Sequence, residues 1–134
     1  MRWKGRRKMS KTTETMRLIR ELVTPVCECG RDQRSANTYP FASLALRDIG
    51  PYRIELTVNL WDNATKNNNY NEDTTDETLD AIESALHRQT CVGGDHLYLA
   101  VFSNQDRIEI PDEDPDVRHL RASFYLIRYT KEEV

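Results

Sequence analysis

The chain has 134 residues and a formal net charge of −3, with 38% hydrophobic and 31% charged residues. This length suits one hydrophobic core and is too short for two. No apolar run approaches the roughly 20 residues of a membrane-spanning helix, so we expect no membrane partner. Three cysteines, an odd number, argue against a disulfide scaffold and favour a reducing compartment.

The charge is divided unevenly between an N-terminal arm, residues 1–11, and a single predicted domain, residues 12–134. The arm holds six of the 19 basic residues and no acidic one, so the domain is strongly acidic. An acidic domain is a poor binder of duplex nucleic acid, because such binding neutralises phosphates. The arm either contacts a partner or DNA, or is only a solvated tail. Its candidate contact residues are Arg2, Trp3, Lys4, Arg6, Arg7 and Lys8.

The first half of the domain predicts a helix, a loop and a hairpin. Apolar residues recur at helical spacing over residues 13–24, until Pro25 interrupts the pattern. Residues 27–38 are polar and turn-rich, which predicts a loop. Tyr39-Pro40-Phe41 then opens a first strand, and the turn at residues 48–51 connects it to a second.

The second strand, residues 52–61, alternates apolar and polar side chains without a break. Because successive side chains of a strand point to opposite sides, one face is predicted to lie in the core and the other to face water or a partner. The predicted inner face is Tyr52, Ile54, Leu56, Val58 and Leu60. The predicted outer face is Arg53, Glu55, Thr57, Asn59 and Trp61.

A long loop and a second helix are predicted next. Residues 62–73 contain almost nothing apolar except Tyr70. Thr74 and Glu77 have the spacing of a capping box at the start of a helix. Gly93-Gly94 is predicted to end the helical segment.

The C-terminal part predicts two further extended segments. A third strand over residues 97–102 is expected to continue through a bend into residues 105–110. After an acidic loop, residues 111–116, a last strand runs over residues 117–129. Its predicted inner face is Leu120, Ala122, Phe124 and Leu126, and its outer face includes His119, Arg121, Ser123, Tyr125 and Tyr129.

Paired strands separated by helices indicate the α+β class. We expect a single antiparallel sheet of about four strands, with two helices packed on one face.

No group of potentially reactive or metal-binding residues has the spacing that a catalytic or metal site needs. Cys27 and Cys29 form one pair with a single intervening residue, whereas structural zinc sites usually show two pairs at wider spacing. No histidine is placed beside a nucleophile on a rigid cleft. The acidic loop lacks the glycine of a calcium loop, and is either a solvated turn or a docking surface for a basic partner. We therefore predict no catalytic residue, no metal, no cofactor and no enzyme.

The outer sheet face is the predicted interaction surface. Trp61 and Tyr125 lie out of phase with the apolar stripes, and a tryptophan is costly to leave in water. Trp61 either packs at the sheet edge of its own monomer or anchors a subunit interface. The candidate interface residues are Arg53, Glu55, Trp61, Tyr70, Arg121 and Tyr125.

The layout from about residue 12 to residue 130 resembles the tail-terminator, or tail-completion, proteins of long-tailed bacteriophages. An N-terminal helix leads to Tyr39-Pro40-Phe41, and residues 50–62 resemble that family's strand ending in tryptophan. A variable loop, a helix with Ala81-Ile82-x-x-Ala85-Leu86 and a last strand after an acidic loop complete the order. The basic arm and the Cys-x-Cys segment depart from the family pattern.

The resemblance implies a structural protein that forms a ring, usually of six subunits, on the finished tail tube. Such a ring caps the tube and joins it to the connector of the head, and DNA passes through its lumen. The implied partners are other copies of the chain, the tail tube protein and the head-completion or connector protein, with only non-specific proximity to packaged DNA. The implied location is the head–tail junction of the virion, after assembly in the host cytoplasm.

A second hypothesis is a small cytoplasmic binding module. In that case the outer sheet face and the basic arm would bind RNA or a protein ligand, because aromatic side chains on a sheet can stack on bases.

Overall fold

A computed structural model describes residues 10–34, 38–63, 72–94 and 97–130. Two helices and six strands occur in the order α1 (Lys11–Val23), β1 (Glu28–Arg31), β2 (Phe41–Asp48), β3 (Arg53–Asn63), α2 (Glu72–Leu86), β4 (Thr90–Gly93), β5 (Leu97–Ile110) and β6 (Val117–Thr130). The division into an arm and a domain stays a prediction, because residues 1–9 lie outside the described ranges, as does Tyr70.

The strands form one mixed sheet in the order β1-β2-β3-β6-β5-β4, curled into a half-barrel. β1 pairs with β2 in parallel, and every other neighbouring pair is antiparallel. The long central strands β3 and β6 pair from Arg53 with Ile127 to Asn63 with Val117. They place one continuous set of side chains on each side of the sheet.

Both helices pack on the same side of this sheet, which we call the inner face. The even-numbered apolar residues of β3 and β6 are buried there, as the alternation predicts, and Phe124 is the largest fully buried side chain. They share one core with the apolar stripes of α1 and α2, whose members include Ile19 and Ile82. Burying such a side chain stabilises the fold by roughly 1.5–3 kcal/mol. Tyr52 is the exception, because it precedes β3 and is 47% exposed.

The expected single antiparallel sheet of four strands is wrong. The two additional strands, β1 and β4, have four residues each and lie at the two edges of the sheet. Residues 27–38 were expected to be a loop, and Gly93-Gly94 was expected to end a helical segment. Four residues are too few to show a period of two, so pairing with a neighbour decides their conformation.

The start and end expected for the second helix are also wrong. α2 begins at Glu72, so Thr74 lies inside the helix, and its carbonyl accepts a hydrogen bond from the Thr78 hydroxyl. Gly93 belongs to β4 and Gly94 follows it. These glycines let α1 approach closely: a Cβ on Gly93 would lie 2.5 Å from Oε2 of Glu14, an atom that accepts from the Gly94 N–H at 2.8 Å.

Through this hydrogen bond Glu14 connects α1 to the segment at Gly94, and Glu14 is itself buried. Its carboxylate also accepts two hydrogen bonds from Arg17, at 2.8 and 2.9 Å. The Arg17 contact, followed by the Gly94 N–H, lowers the pKa of Glu14 to about 2.

The bend expected in the third extended segment is confirmed. The register between β5 and β6 shifts between Ser103 and Arg107, and Gln105 has a φ of 56°. Asp106 replaces the missing ladder bonds there: its carboxylate accepts from the N–H of Ser123 at 2.8 Å and from its hydroxyl at 2.6 Å.

Candidate functional site

The side of the sheet opposite the helices, the outer face, is covered by no described helix or strand. The registers place the odd-numbered residues of β3 and β6 on it, together with Tyr98, Ala100 and Phe102 of β5 before the bend and Ile108 and Ile110 after it. Four of the six predicted interface residues therefore share this face with Trp61: Arg53, Glu55, Arg121 and Tyr125. Among the described residues, the outer face is thus where these predictions meet.

At one end of the outer face, Trp61 is half-buried by side chains of its own chain. The ring of His119, its neighbour across β6, stacks on the indole at a centroid distance of 4.4 Å. The Arg34 guanidinium carbon lies 5.0 Å from the centre of the Trp61 ring. Asp112 of the acidic loop holds Arg34 through an ion pair of 3.0 Å. We call Trp61, His119, Arg34 and Asp112 the tryptophan cluster.

Electrostatics inside the tryptophan cluster favour a neutral histidine. Burial, and then the cations Arg34 and Arg121, lower the pKa of His119 against the opposing pull of Asp112. His119 Nε2 lies 2.8 Å from the side-chain oxygen of Asn59, which can only accept, so Nε2 carries the proton. Asp112 remains ionised, because the N–H of Asp114, followed by Arg34, lowers its pKa.

The indole nitrogen of Trp61 is enclosed without a hydrogen-bond partner in the described part of the chain. An unsatisfied buried donor costs about 1–3 kcal/mol. The stacked histidine and the overlying guanidinium offset this cost, since both use the faces of the ring rather than its N–H.

At the other end of the outer face, four aromatic rings form two cross-strand pairs between β5 and β6. Tyr98 stacks on Tyr129 at 5.5 Å, and Phe102 stacks on Tyr125 at 5.1 Å. We call these four residues the aromatic row. Tyr129 is 38% exposed, and Val92 of β4, the cross-strand partner of Tyr98, is 65% exposed. At this end of the face, Tyr129 and Val92 therefore expose apolar surface to water.

Two arginines add positive charge to the outer face. The Arg53 guanidinium carbon lies 5.1 Å from the centre of the Tyr125 ring. Arg121 is exposed and has no ion pair with any described residue. Glu55, by contrast, is paired with Arg47 at 2.9 Å. Of the charged residues that β3 and β6 place on this face, those without an ion pair among the described residues are therefore both arginines.

The sequence reasoning missed Tyr98, Phe102 and Val92, and it missed the cover that Arg34 supplies. The alternation of Leu97, Leu99 and Val101 with Tyr98 and Phe102 was a usable signal for the aromatic row. Arg34 carried no such signal, because it follows a strand that was expected to be a loop.

Residues capable of catalysis meet at one place, the bend of β5, where they serve the fold. The Ser103 hydroxyl donates to Glu83 at 2.6 Å, and His87 Nδ1 accepts from the Ser103 N–H at 2.9 Å. The histidine thus contacts the backbone of the serine rather than its hydroxyl. The hydrogen bond to His87 satisfies a backbone N–H of β5 beyond the part that β4 pairs with. The arrangement contains no activated nucleophile.

The cysteines show no sign of a reactive or metal-binding arrangement. Burial raises the pKa of Cys27 to about 12, which keeps it a thiol. Within residues 10–34, 38–63, 72–94 and 97–130, no group of three or more His, Cys, Asp or Glu side chains could hold a metal ion. In the same ranges no helix is long and apolar enough to cross a membrane.

No protein-family model matches the sequence, and no curated protein matches it. Support for a function therefore comes from the surface of the molecule and from the pattern of its sequence.

Proposed function

We propose that this protein is a structural subunit that assembles with copies of itself through the outer face of its sheet. We further propose that the assembly is the terminator ring at the head-proximal end of a phage tail. The observation that supports self-assembly is the end of the aromatic row, where Tyr129 and its neighbour Val92 are exposed on a face that no described element covers.

The composition of this end of the face is that of an interface centre. Aromatic residues and arginine are enriched where partners exclude water, and a few such residues carry most of the binding free energy. Tyr129 and Tyr98 provide large side chains with few rotatable bonds at one end of the six-stranded sheet, and Arg53 adds a cation beside them. A stable contact buries about 800 Å² on each partner. The outer face, spanned by strands of up to 14 residues, is large enough for that.

The ring and its place in a tail are supported by the sequence resemblance. It includes the strand that ends in Trp61, the aromatic-Pro-aromatic segment before β2 and the final strand after the acidic loop. A closed ring of six subunits needs two different contact patches on each subunit. In this proposal the partners beyond the ring are the tail tube protein on one side and the head connector on the other.

The experiment is the mass of the purified protein in solution, together with electron micrographs of it. We expect a concentration-dependent oligomer, with rings in the micrographs, or rings that form when tail tubes are added. A chain that stays monomeric at high concentration, and that does not bind tail tubes, contradicts the proposal.

A binding module for single-stranded RNA is the second candidate, and one observation favours it. Arg53 and Tyr125 together resemble the pairing of cations and aromatic rings that holds unstacked bases. However, one face of each ring in the aromatic row is already occupied by its neighbour. Titration of the protein with a labelled single-stranded RNA separates the two functions: tight, salt-sensitive binding by a monomer favours the module.

A further inference from the structure

We infer that the surface docking onto the outer sheet face is the outward side of helix α2 from a second copy of this chain. This inference rests on the proposed self-assembly and identifies its second contact patch. The contact is heterologous, because a sheet face on one subunit meets a helix on the next.

The charge of α2 complements that of the outer face. α2 contains six acidic residues and no basic one. Three of these acids are neutralised within the subunit: Arg118 contacts Asp76, and Arg107 contacts both Asp80 and Glu83. Glu77 is exposed and has no ion pair in the described ranges. An unpaired anion on the helix side therefore matches the unpaired cation Arg121 on the sheet side.

The outward side of α2 is also shaped to approach aromatic rings closely. Leu79, Ile82 and Leu86 are buried against the sheet, so the opposite side of the helix faces water. One turn beyond Glu77 and Asp80, that side presents the small residues Ala81 and Ser84. Small side chains let a helix backbone lie near the rings of a partner.

The spacing of these features agrees between the two surfaces. Arg121 and Tyr125 are four residues apart on β6, which is about 13 Å along a strand. Glu77 and Ser84 are seven residues apart on α2, which is about 10 Å along a helix. A helix lying along β6 thus brings Glu77 to Arg121 and Ser84 close to the level of Tyr125, with Ala81 about halfway between them.

A charge-exchange experiment tests this contact in the full-length protein. Arg121→Glu and Glu77→Arg are each expected to weaken self-association at least about tenfold, because each opposes like charges across the contact. The doubly substituted chain, and an equimolar mixture of the two single variants, are expected to recover assembly to within about threefold of wild type. Sedimentation velocity across a dilution series measures each association, and circular dichroism checks that each variant is folded.

Matched controls separate this contact from a general effect of charge. Glu113→Arg and Arg20→Glu make the same changes at exposed positions outside α2 and β6, in the acidic loop and on α1, and are expected to leave assembly unchanged. Ala81→Trp adds bulk without charge, and is expected to weaken assembly by a similar factor.

Each result has a distinct meaning. If wild type assembles and Glu77→Arg behaves like Glu113→Arg, the α2 contact is wrong while the proposed self-assembly stands. If both single variants weaken assembly and neither combination recovers it, the pairing of Glu77 with Arg121 is wrong. If wild type stays monomeric, or binds single-stranded RNA on this face instead, the proposed self-assembly fails together with the contact.

Discussion

The two ends of the outer face carry similar stacked aromatic side chains, but the chain covers these rings to different extents. Trp61 and His119 stack across β3 and β6 at one end, and Tyr98 and Tyr129 stack across β5 and β6 at the other. Over Trp61 the chain adds Arg34, held in place by Asp112, whereas in the aromatic row Arg53 lies over Tyr125 without a described ion pair to hold it, and no described cation lies over Tyr98 or Tyr129. The cover supplied by neighbouring loops, more than the presence of an aromatic residue, distinguishes the two ends.

From this difference we expect that substitutions at one end change the stability of the subunit and that substitutions at the other end change its association. A change in the tryptophan cluster should alter the stability of the subunit, because the cluster is completed within one chain. A change in the aromatic row should alter association, because that surface is completed only by a partner.

The largest effect is expected for Tyr129→Asp. A charge in the centre of an apolar contact should weaken self-association by about 2 kcal/mol or more, which is roughly 30-fold. The free energy of unfolding should fall by less, about 1 kcal/mol, since the side chain is 38% exposed and loses its stack on Tyr98. Analytical ultracentrifugation and urea denaturation measure the two quantities. Tyr129→Phe keeps the ring and should assemble like wild type; a Tyr129→Asp protein that assembles normally excludes the aromatic row from the interface.

The next effect is expected for Trp61→Ala, which should lower the free energy of unfolding by about 2 kcal/mol. The half-buried ring loses its stack with His119 and its contact with Arg34. Trp61→Phe is the matched control and should be nearly neutral, because it keeps a ring and removes an unsatisfied N–H. Weakened assembly at unchanged stability would instead show that Trp61 anchors an interface, as the sequence predicts.

Acid should weaken the tryptophan cluster before it weakens the aromatic row. Burial lowers the pKa of His119 in the folded chain, so its stabilising contribution is complete above the ordinary value of 6.5. It is lost as the pH falls below 6.5, where the unfolded chain binds the proton more readily. Denaturation between pH 7.5 and 5 should show this slope in wild type and a smaller one in His119→Gln. An identical slope in both proteins would assign the pH dependence to other groups.

The smallest effect is expected for Arg34→Ala. Its cation–π contact and its ion pair are partly exposed, so the loss should stay below about 1 kcal/mol. Trp61 should become more accessible to the quencher acrylamide, measured in a Trp3→Phe background. Arg31→Ala removes a comparable exposed ion pair with Asp32 and should leave quenching unchanged.

The sequence predicted the elements whose pattern extends over many residues. β3 and β6 alternate over 11 and 14 residues, and α1 carries a clear apolar stripe, so their positions and inner faces follow from periodicity. β1 and β4 have four residues each, and only their pairing with β2 and β5 makes them strands. The mixed sheet was therefore beyond a single-sequence prediction.

The residues of the candidate site also differ in whether the local sequence pattern could predict them. Trp61 and Tyr125 were found because they break an apolar pattern on a strand of known phase. The role of Arg34 depends on a loop that returns over the sheet, and that of Val92 depends on an edge strand. Both are tertiary facts with no local signal.

Hydroxyl-radical footprinting of the monomer and of the assembled protein tests the central claim most directly, because it reports the solvent exposure of each aromatic side chain at both ends. We expect Tyr98, Phe102 and Tyr129 to become protected on assembly, while Trp61, already covered by its own chain, reacts equally in both states. Protection of Trp61 with an unchanged aromatic row would contradict this account and move the interface to the opposite end of the sheet.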